Sequence, residues 1–125
     1  MTKSRKIGLL LVVILIILVA VVWIEAETHF LQNYISSAVY DNKINYLSCE
    51  ELPPLSEVER IVEENKEVIR QVESIDPGFI SVYIDSSCPG KGSLVIEYPS
   101  HADRLRIDEL IGDTFFGVPW KGINN

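Results

Sequence analysis

Two cysteines, Cys49 and Cys88, carry the most reactive side chains of this sequence. A structural zinc site usually needs four ligands, and the positions of His29 and His101 do not complete a zinc-binding spacing with the cysteines. The sequence also has no Cys-x-x-Cys pair of the kind used in redox enzymes. In an oxidising compartment, two cysteines in a small domain commonly form a stabilising disulfide. We therefore predict a disulfide bond between Cys49 and Cys88.

The segment 86–93, SSCPGKGS, superficially looks like a phosphate-binding loop. It lacks the G-x-x-x-x-G-K-S/T spacing of that motif, and it joins two predicted strands rather than a strand and a helix. We interpret the segment as a turn.

Paired carboxylates and one histidine complete the groups that could act in chemistry. Glu63 and Glu67 lie one helical turn apart on a face predicted to be solvated, whereas catalytic carboxylates need burial or close pairing. His101, Asp103 and Asp108 could supply metal ligands, but acidic residues in a first helical turn also suit the helix dipole. The sequence therefore predicts no catalytic residue, no metal site and no cofactor, and it predicts that the protein is not an enzyme.

An apolar segment at residues 7–24 organises the rest of the chain, since it holds 18 residues without a charge. As a helix it would be roughly 27 Å long, close to the hydrocarbon thickness of a bilayer. Basic residues precede it and acidic residues follow it, which predicts a cytoplasmic N-terminus and a periplasmic or extracellular remainder. We expect a single-pass protein of the cell membrane that contacts lipid through residues 7–24. The flanking charges are Lys3, Arg5 and Lys6 before the segment, and Glu25 and Glu27 after it.

Two kinds of N-terminal processing are alternatives to a retained anchor. A cleaved signal peptide usually has an apolar region of roughly 7–15 residues, and this segment is longer. Lys6, Ile7 and Gly8, followed by a long apolar helix, resemble the N-terminus of a type IV pilin. In that family a Glu normally lies five residues after the cleavage point, where this sequence has Val13. We therefore favour a retained anchor.

The part of the chain from Glu25 onward is strongly acidic. It holds all 18 Asp and Glu residues but only 8 of the 11 Lys and Arg residues, so its net charge is 8 − 18 = −10. Such a charge repels nucleic acids and anionic lipid headgroups. We expect no nucleic-acid partner, and we regard solubility as the main effect of the charge.

Residues 25–42 are predicted to continue the anchor as an amphipathic helical stalk. Its apolar stripe has two interpretations. The stripe packs against the domain of the same chain, or it fills a groove on a neighbouring membrane subunit. The stripe consists of Phe30, Leu31, Tyr34, Ile35 and Ala38.

Residues 43–125 are predicted to form one small, acidic α+β domain outside the membrane. A first strand at 43–48 would complete the order β-α-β-β-α-β of a ferredoxin-like sandwich. Without that strand, the domain would be a reduced α-β-β-α arrangement of two layers. The other predicted elements are a helix over 56–75, strands over 79–85 and 93–98, a helix over 100–111 and an extended segment over 114–120.

Local signals predict where these elements begin and end. Ser56 and Glu59 have the spacing of a capping box at the start of the first helix. Ser100 is the expected N-cap of the second helix, and Gly112 its C-cap. Pro119 is tolerated at the edge of a sheet, so we expect the last aromatic segment to pack as an edge strand or to cover the core.

The predicted function is that of a membrane-anchored, non-catalytic subunit or assembly protein whose outer domain binds another membrane or extracytoplasmic protein. Aromatic side chains commonly anchor such interfaces. The expected contact residues are Phe30, Leu31, Tyr34 and Ile35. Trp120, with Phe115 and Phe116, is a second candidate contact surface if these side chains are exposed. The alternatives are an extracytoplasmic small-ligand-binding or sensor module, a pilin-like protein with an atypical N-terminus, and a hydrolase without a recognisable motif.

A retained anchor predicts that the mature protein keeps the mass of the whole 125-residue chain, 14.1 kDa. Intact-mass spectrometry of protein purified from membranes measures this directly. A chain that begins at Glu27 would instead indicate secretion after signal-peptide cleavage, and one that begins at Leu9 would indicate pilin-type processing.

Overall fold

The computed structural model describes residues 2–125 and has mixed helix and sheet. The chain forms two compact units, of which the first ends at Tyr34 and the second comprises residues 35–125. In chain order, the helices are α1 (Lys3–Thr28), α2 (Phe30–Ala38), α3 (Leu55–Glu64), α4 (Lys66–Glu73) and α5 (His101–Ile111), with a 3₁₀-helix at Cys49–Glu51. The strands are β1 (Ser81–Asp85), β2 (Ser93–Tyr98), β3 (Thr114–Phe115) and β4 (Val118–Asn124).

Helix α1 is a continuous helix of 26 residues, and it is long and apolar enough to cross a membrane. Within residues 2–125, none of its side chains is buried. A helix that is apolar on every face is normally covered by a protein core or by lipid. No protein core covers α1 in the described chain.

The predicted continuous helix over 25–42 is interrupted at His29. This residue has a left-handed backbone with φ 51°, and its N–H donates to the carbonyl of Glu25 at 2.8 Å. The Glu25 carboxylate accepts the backbone N–H groups of Leu31 at 2.7 Å and Gln32 at 3.1 Å. These two donors belong to the first turn of α2, which has no intrahelical acceptors for them. Glu25 therefore caps a second, separate helix.

The four strands form one sheet in the order β1-β2-β4-β3. Strands β1 and β2 pair antiparallel, β2 and β4 pair parallel, and β3 and β4 pair antiparallel. Within the predicted segment 114–120, Thr114–Phe115 forms the edge strand β3, as expected. Residues 118–120 instead belong to β4, which lies inside the sheet. Pro119 is tolerated because the ladder between β2 and β4 begins one residue later, at the pair Leu94 and Trp120.

The segment 43–48 does not form the first strand of a ferredoxin-like sheet. Only Lys43 bridges to Gly122, through two backbone hydrogen bonds of 2.8 and 2.9 Å. Tyr46 has a left-handed backbone with φ 47°, which cannot be part of an extended strand. Strand β4 thus pairs directly with β2, and the helices and strands from α3 to α5 follow the reduced α-β-β-α order.

The predicted helix over 56–75 is divided into α3 and α4 at Asn65. The Asn65 side-chain amide donates to the carbonyl of Ile61 at 2.8 Å, which engages an acceptor of the preceding helical turn. The helix also begins earlier than predicted, since Leu55 is its first residue and Pro54 its N-cap. Ser56 therefore lies inside α3, and the predicted capping box is not formed there. A capping box is found instead at Ser48 and Glu51 of the 3₁₀-helix.

The boundaries of α5 agree with the sequence prediction. The Ser100 hydroxyl accepts the backbone N–H of Asp103 at 3.2 Å, as an N-cap does. Gly112 ends the helix with φ 69°, a conformation that favours glycine. The core between the helices and the sheet contains Val58, Val72, Ile80, Leu94, Ile96, Tyr98, Ile107, Phe115, Val118 and Trp120.

Cys49 and Cys88 lie at disulfide-bonding distance, with a sulfur separation of 2.04 Å and a Cα separation of 5.5 Å. Cys49 precedes α3 and Cys88 follows β1, so both fall at the same end of the domain. Pro54 and Lys91 form a backbone bridge close to them in the chain. Closing a loop of about 40 residues contributes roughly 4 kcal/mol on the chain-entropy model, and less if the unfolded chain is compact.

Trp120→Ala is expected to lower the free energy of unfolding by about 3–5 kcal/mol, because it leaves a large cavity in the core. Phe79→Ala is the matched control, since the Phe79 side chain is 71% exposed and Trp120 is 0% exposed. Urea denaturation in mild detergent, followed by circular dichroism, measures both effects. Similar losses for the two variants would contradict the observed packing.

Candidate functional site

The apolar face of α2, formed by Phe30, Leu31, Tyr34, Ile35 and Ala38, is an exposed hydrophobic surface. Its four large side chains are between 46% and 66% exposed. Val39 and Tyr40 extend the exposed apolar surface beyond the end of the helix. Aromatic and aliphatic side chains grouped in this way are typical of interaction surfaces.

The opposite face of α2 is polar, and one of its residues contacts α5. The Arg104 guanidinium donates to the Ser37 hydroxyl at 3.3 Å. Ile35 and Ser37 lie two positions apart, about 200° around the helix axis. This part of α2 therefore turns its polar side toward α5 and leaves Ile35 exposed. Packing of the stripe against its own domain, one of the two sequence interpretations, is not observed at Ile35.

Asp41, just after α2, is the centre of a polar cluster. Its carboxylate lies 2.7 Å from the Nδ1 atom of His101 and accepts hydrogen bonds from Arg104 at 3.0 Å and Asn124 at 3.1 Å. The Tyr98 hydroxyl donates to its main-chain carbonyl. Asp41 has a left-handed backbone with φ 56°, which Asp tolerates better than most residues. The cluster ties the chain after α2 to α5 and to the sheet.

The electrostatics of this cluster favour an ionised Asp41. Burial alone would raise the pKa of Asp41, but hydrogen bonds from His101, Arg104 and Asn124 outweigh burial and lower it below its ordinary value. Burial raises the pKa of Tyr98 to about 12, so its hydroxyl stays protonated and remains a donor. This arrangement links the chain after α2 to α5 and β4.

Lys43 is attached to the core beside this cluster. Its ammonium group donates to the carbonyl of Asp113 at 2.6 Å and lies 3.7 Å from the ring centroid of Trp120. Burial lowers the pKa of Lys43. A cation over an indole face is attracted by the negative potential of the ring, so Lys43 is a structural contact.

A small polar pocket of about 170 Å³ lies beside the disulfide. Asp85 and Lys121 line it and form an ion pair of 3.1 Å. Hydrogen bonds from Ser87, followed by the Lys121 ammonium, lower the pKa of Asp85. Asn45 also lines the pocket, and its buried Nδ2 atom has no hydrogen-bond partner within residues 2–125. A water or a small molecule with an acceptor oxygen would satisfy this donor.

The other candidate groups from the sequence are engaged in local contacts. Glu63 pairs with Lys66 at 2.9 Å, and Glu67 with Arg70 at 3.1 Å, all on exposed surface. The segment 86–93 connects β1 to β2, and its last residue, Ser93, is the first residue of β2. Across the described residues, no three or more His, Cys, Asp or Glu side chains are grouped so as to hold a metal ion.

Trp120 and Phe115 are not surface residues, which corrects their expected role in partner binding. Both lie in the core, at 0% and 1% exposure. Trp120 is on β4, which is internal to the sheet, and Phe115 is on β3, which pairs with β4. The indole N–H of Trp120 donates to the carbonyl of Gly112 at 2.9 Å. Phe116 alone of this group is exposed, and it lines a groove of about 380 Å³ with Val68 and Leu110.

Three residues with important contacts carried little signal in the sequence. Asp41 fell within the predicted stalk over 25–42, and nothing in the pattern connected it to α5, some sixty positions away. Lys43 and Asn45 lie in an irregular segment without periodicity. The partners of Asp41 and Lys43 are distant in the chain, so only the tertiary structure reveals them. The burial of the Asn45 amide likewise depends on the folded chain.

No protein-family model, curated protein or solved structure matches this chain.

Asp41→Asn is expected to lower the free energy of unfolding by about 1–2 kcal/mol at pH 7, because it removes the charge that strengthens three hydrogen bonds. Asn keeps the size of Asp and tolerates the left-handed backbone. The folded-state pKa of Asp41 is lowered, so its stabilisation is complete above the unfolded-state pKa of about 4. It disappears as the pH falls through the folded-state pKa.

Urea denaturation across pH 7 to pH 3 tests this dependence. Glu63→Gln is the control, since the Glu63 side chain is 74% exposed. A deficit of Asp41→Asn that does not shrink in acid would contradict the assigned role of the carboxylate.

Proposed function

We propose that this protein is a single-pass membrane protein whose outer domain acts without catalysis, by binding another membrane protein through the apolar face of α2. The observation that carries the proposal is the exposure of Phe30, Leu31, Tyr34 and Ile35 directly after a helix that could cross a membrane. The proposed partner contributes a segment that lies close to the membrane surface.

The proposed topology places the N-terminus in the cytoplasm and the domain outside. The basic residues before the apolar segment and the acidic residues after it support this orientation. Trp23 lies at the outer end of the apolar segment, where an indole favours the membrane interface. The paired cysteines are consistent with an oxidising compartment outside the cytoplasm.

Position and charge favour a protein as the occupant of the apolar face. Phe30 lies six residues after Ile24, at most roughly 9 Å farther along a helix, so the face starts near the lipid headgroups. Helices that bind a lipid surface usually carry Lys and Arg on their polar face. Helix α2 carries none, and two glutamates precede it. A neighbouring protein is therefore a better occupant than an anionic lipid surface.

A non-catalytic role is supported by how the reactive side chains are used. Cys49 is paired with Cys88, and His101 is held by Asp41. The Asp41 carboxylate is in turn saturated by cationic and amide donors. A general base or nucleophile needs a reactive atom that can reach a substrate in a cleft. The Cys49 sulfur, the His101 Nδ1 atom and the Asp41 carboxylate are instead engaged with other groups of the chain.

The second candidate function is a small-ligand-binding module. The observation that favours it is the buried Asn45 amide in the pocket beside the disulfide. Its volume suits only a small polar molecule. The pocket is smaller than most ligand sites, so it ranks behind the interaction surface.

Replacing Phe30 and Tyr34 together by Ala is expected to release the partner in mild detergent, with at least a ten-fold loss of recovered complex. Replacing Gln32 and Asn33 by Ala on the polar face is the matched control and should leave the complex intact. Unchanged thermal unfolding of both variants would show that the domain stays folded.

A photo-crosslinking amino acid at position 34, compared with position 36, distinguishes the occupants. Crosslinks to one defined protein from position 34 alone support the proposal. Crosslinks only to lipid overturn it in favour of a membrane-surface helix. A protein that purifies alone and crosslinks to neither leaves the small-ligand module as the better reading.

A further inference from the structure

Strand β1 has one edge without a neighbour. It lies at the end of the sheet and pairs only with β2, over the register from Ser81 with Glu97 to Asp85 with Ser93. None of the turn, loop or side-chain hydrogen bonds found in residues 2–125 reaches the backbone of β1 on its other side. An unpaired edge presents a row of N–H and C=O groups that can template another strand.

The sequence of β1 lacks the usual protection of an edge. Proteins commonly protect edge strands with Lys, Pro or a bulge, or by making the strand very short. Strand β1 is five residues long, reads SVYID and contains neither Lys nor Pro. The opposite edge of the sheet differs, because β3 has only two residues. Among the strands of residues 2–125, β1 therefore forms the end of the sheet that is long enough to accept a partner strand.

The two faces of this edge have different chemistry. Val82 and Ile84 point toward the core and are only half-buried, so each leaves apolar surface beside the open edge. On the other face, the Ser81 and Tyr83 hydroxyls donate to the Glu97 carboxylate at 3.3 and 3.2 Å. None of the ion pairs in the described part of the chain includes Glu97. This face thus presents a carboxylate without a cation.

We infer that the open edge of β1 binds an extended segment of another protein, which adds a fifth strand with alternating apolar and basic side chains. Its apolar side chains pack beside Val82 and Ile84. A basic side chain opposite Ser81 lies two strand spacings, roughly 10 Å, from β2. Because Ser81 is small, a long Lys or Arg side chain extends across it toward Glu97.

Charge decides between this partner and a second copy of the same chain. Two copies paired through β1 would bring together two outer parts that each carry 8 − 18 = −10. The Glu97 carboxylate of each copy would also lie near the β1 edge of the other copy, where no Lys or Arg of β1 could pair with it. A basic strand removes that repulsion, so the edge fits a foreign segment better than itself. The inference does not depend on the apolar face of α2.

The full chain in uncharged detergent is titrated with three labelled heptapeptides. The first peptide alternates Lys and Val and begins with Lys, so its central residue is Val. The second peptide has Pro in place of that central Val. The third peptide has Glu in place of every Lys. Fluorescence anisotropy is expected to show binding of the first peptide alone. Amide hydrogen exchange of residues 81–85 should slow when it binds, because their outward N–H groups become paired.

Glu97→Gln is expected to weaken binding of the Val-Lys peptide about five-fold, because it removes a charge-assisted contact. Glu63→Gln, which removes an exposed charge on α3, is the matched control and should change binding less than two-fold. Equal binding of the Pro-containing peptide, equal effects of the two variants, or unchanged exchange of residues 81–85 would overturn the inference. Dimerisation that protects residues 81–85 without peptide would overturn it in favour of a second copy.

Discussion

The burial of Trp120 is the contact on which the rest of the domain depends. Its indole N–H donates to the carbonyl of Gly112, the residue that ends α5. The neighbouring Gly122 has no side chain, and a Cβ there would lie 2.9 Å from the Tyr98 ring and 3.0 Å from the Trp120 ring. Glycine therefore allows both rings to pack against β4. This packing in turn places the Tyr98 hydroxyl on the main chain of Asp41.

The same indole organises the segment that leaves α2. Lys43 lies over the ring of Trp120 and bridges to Gly122, so its main chain and side chain are both held. Two residues earlier, Asp41 is held by α5 and β4. The end of α2 that belongs to the second unit is thereby fixed to the core. A fixed helix end presents Ile35 in one geometry, which reduces the entropy lost when a partner binds there.

The acidic charge of the outer part and its two exposed apolar features have a common physical consequence. The apolar face of α2 and the open edge of β1 would promote self-association in a neutral protein. A net charge of 8 − 18 = −10 opposes contact between copies. The same charge leaves both surfaces accessible to a partner of different charge. The negative charge thus opposes self-association of the protein through these two surfaces.

The sequence alone determined the features that depend on neighbouring residues. These include the apolar helix long enough to cross a membrane, the helix over α5 with its caps at Ser100 and Gly112, and the strands β1 and β2. The pairing of Cys49 with Cys88 was also predicted, because two cysteines in a small extracytoplasmic domain commonly form a disulfide. The apolar stripe of α2 was also evident from the spacing of its residues, but the sequence did not identify what binds to it.

Only the tertiary structure decided the features that depend on distant residues. The parallel pairing of β4 with β2 made Trp120 a core residue, where its local sequence left an edge strand and a covering of the core as alternatives. The breaks at His29 and Asn65 depend on single side-chain and backbone contacts that helical periodicity does not contain. The Asp41 cluster joins residues about sixty or more positions apart. Sequence periodicity indicates which face of a helix or strand is apolar, but only the tertiary structure determines which residues pack against that face.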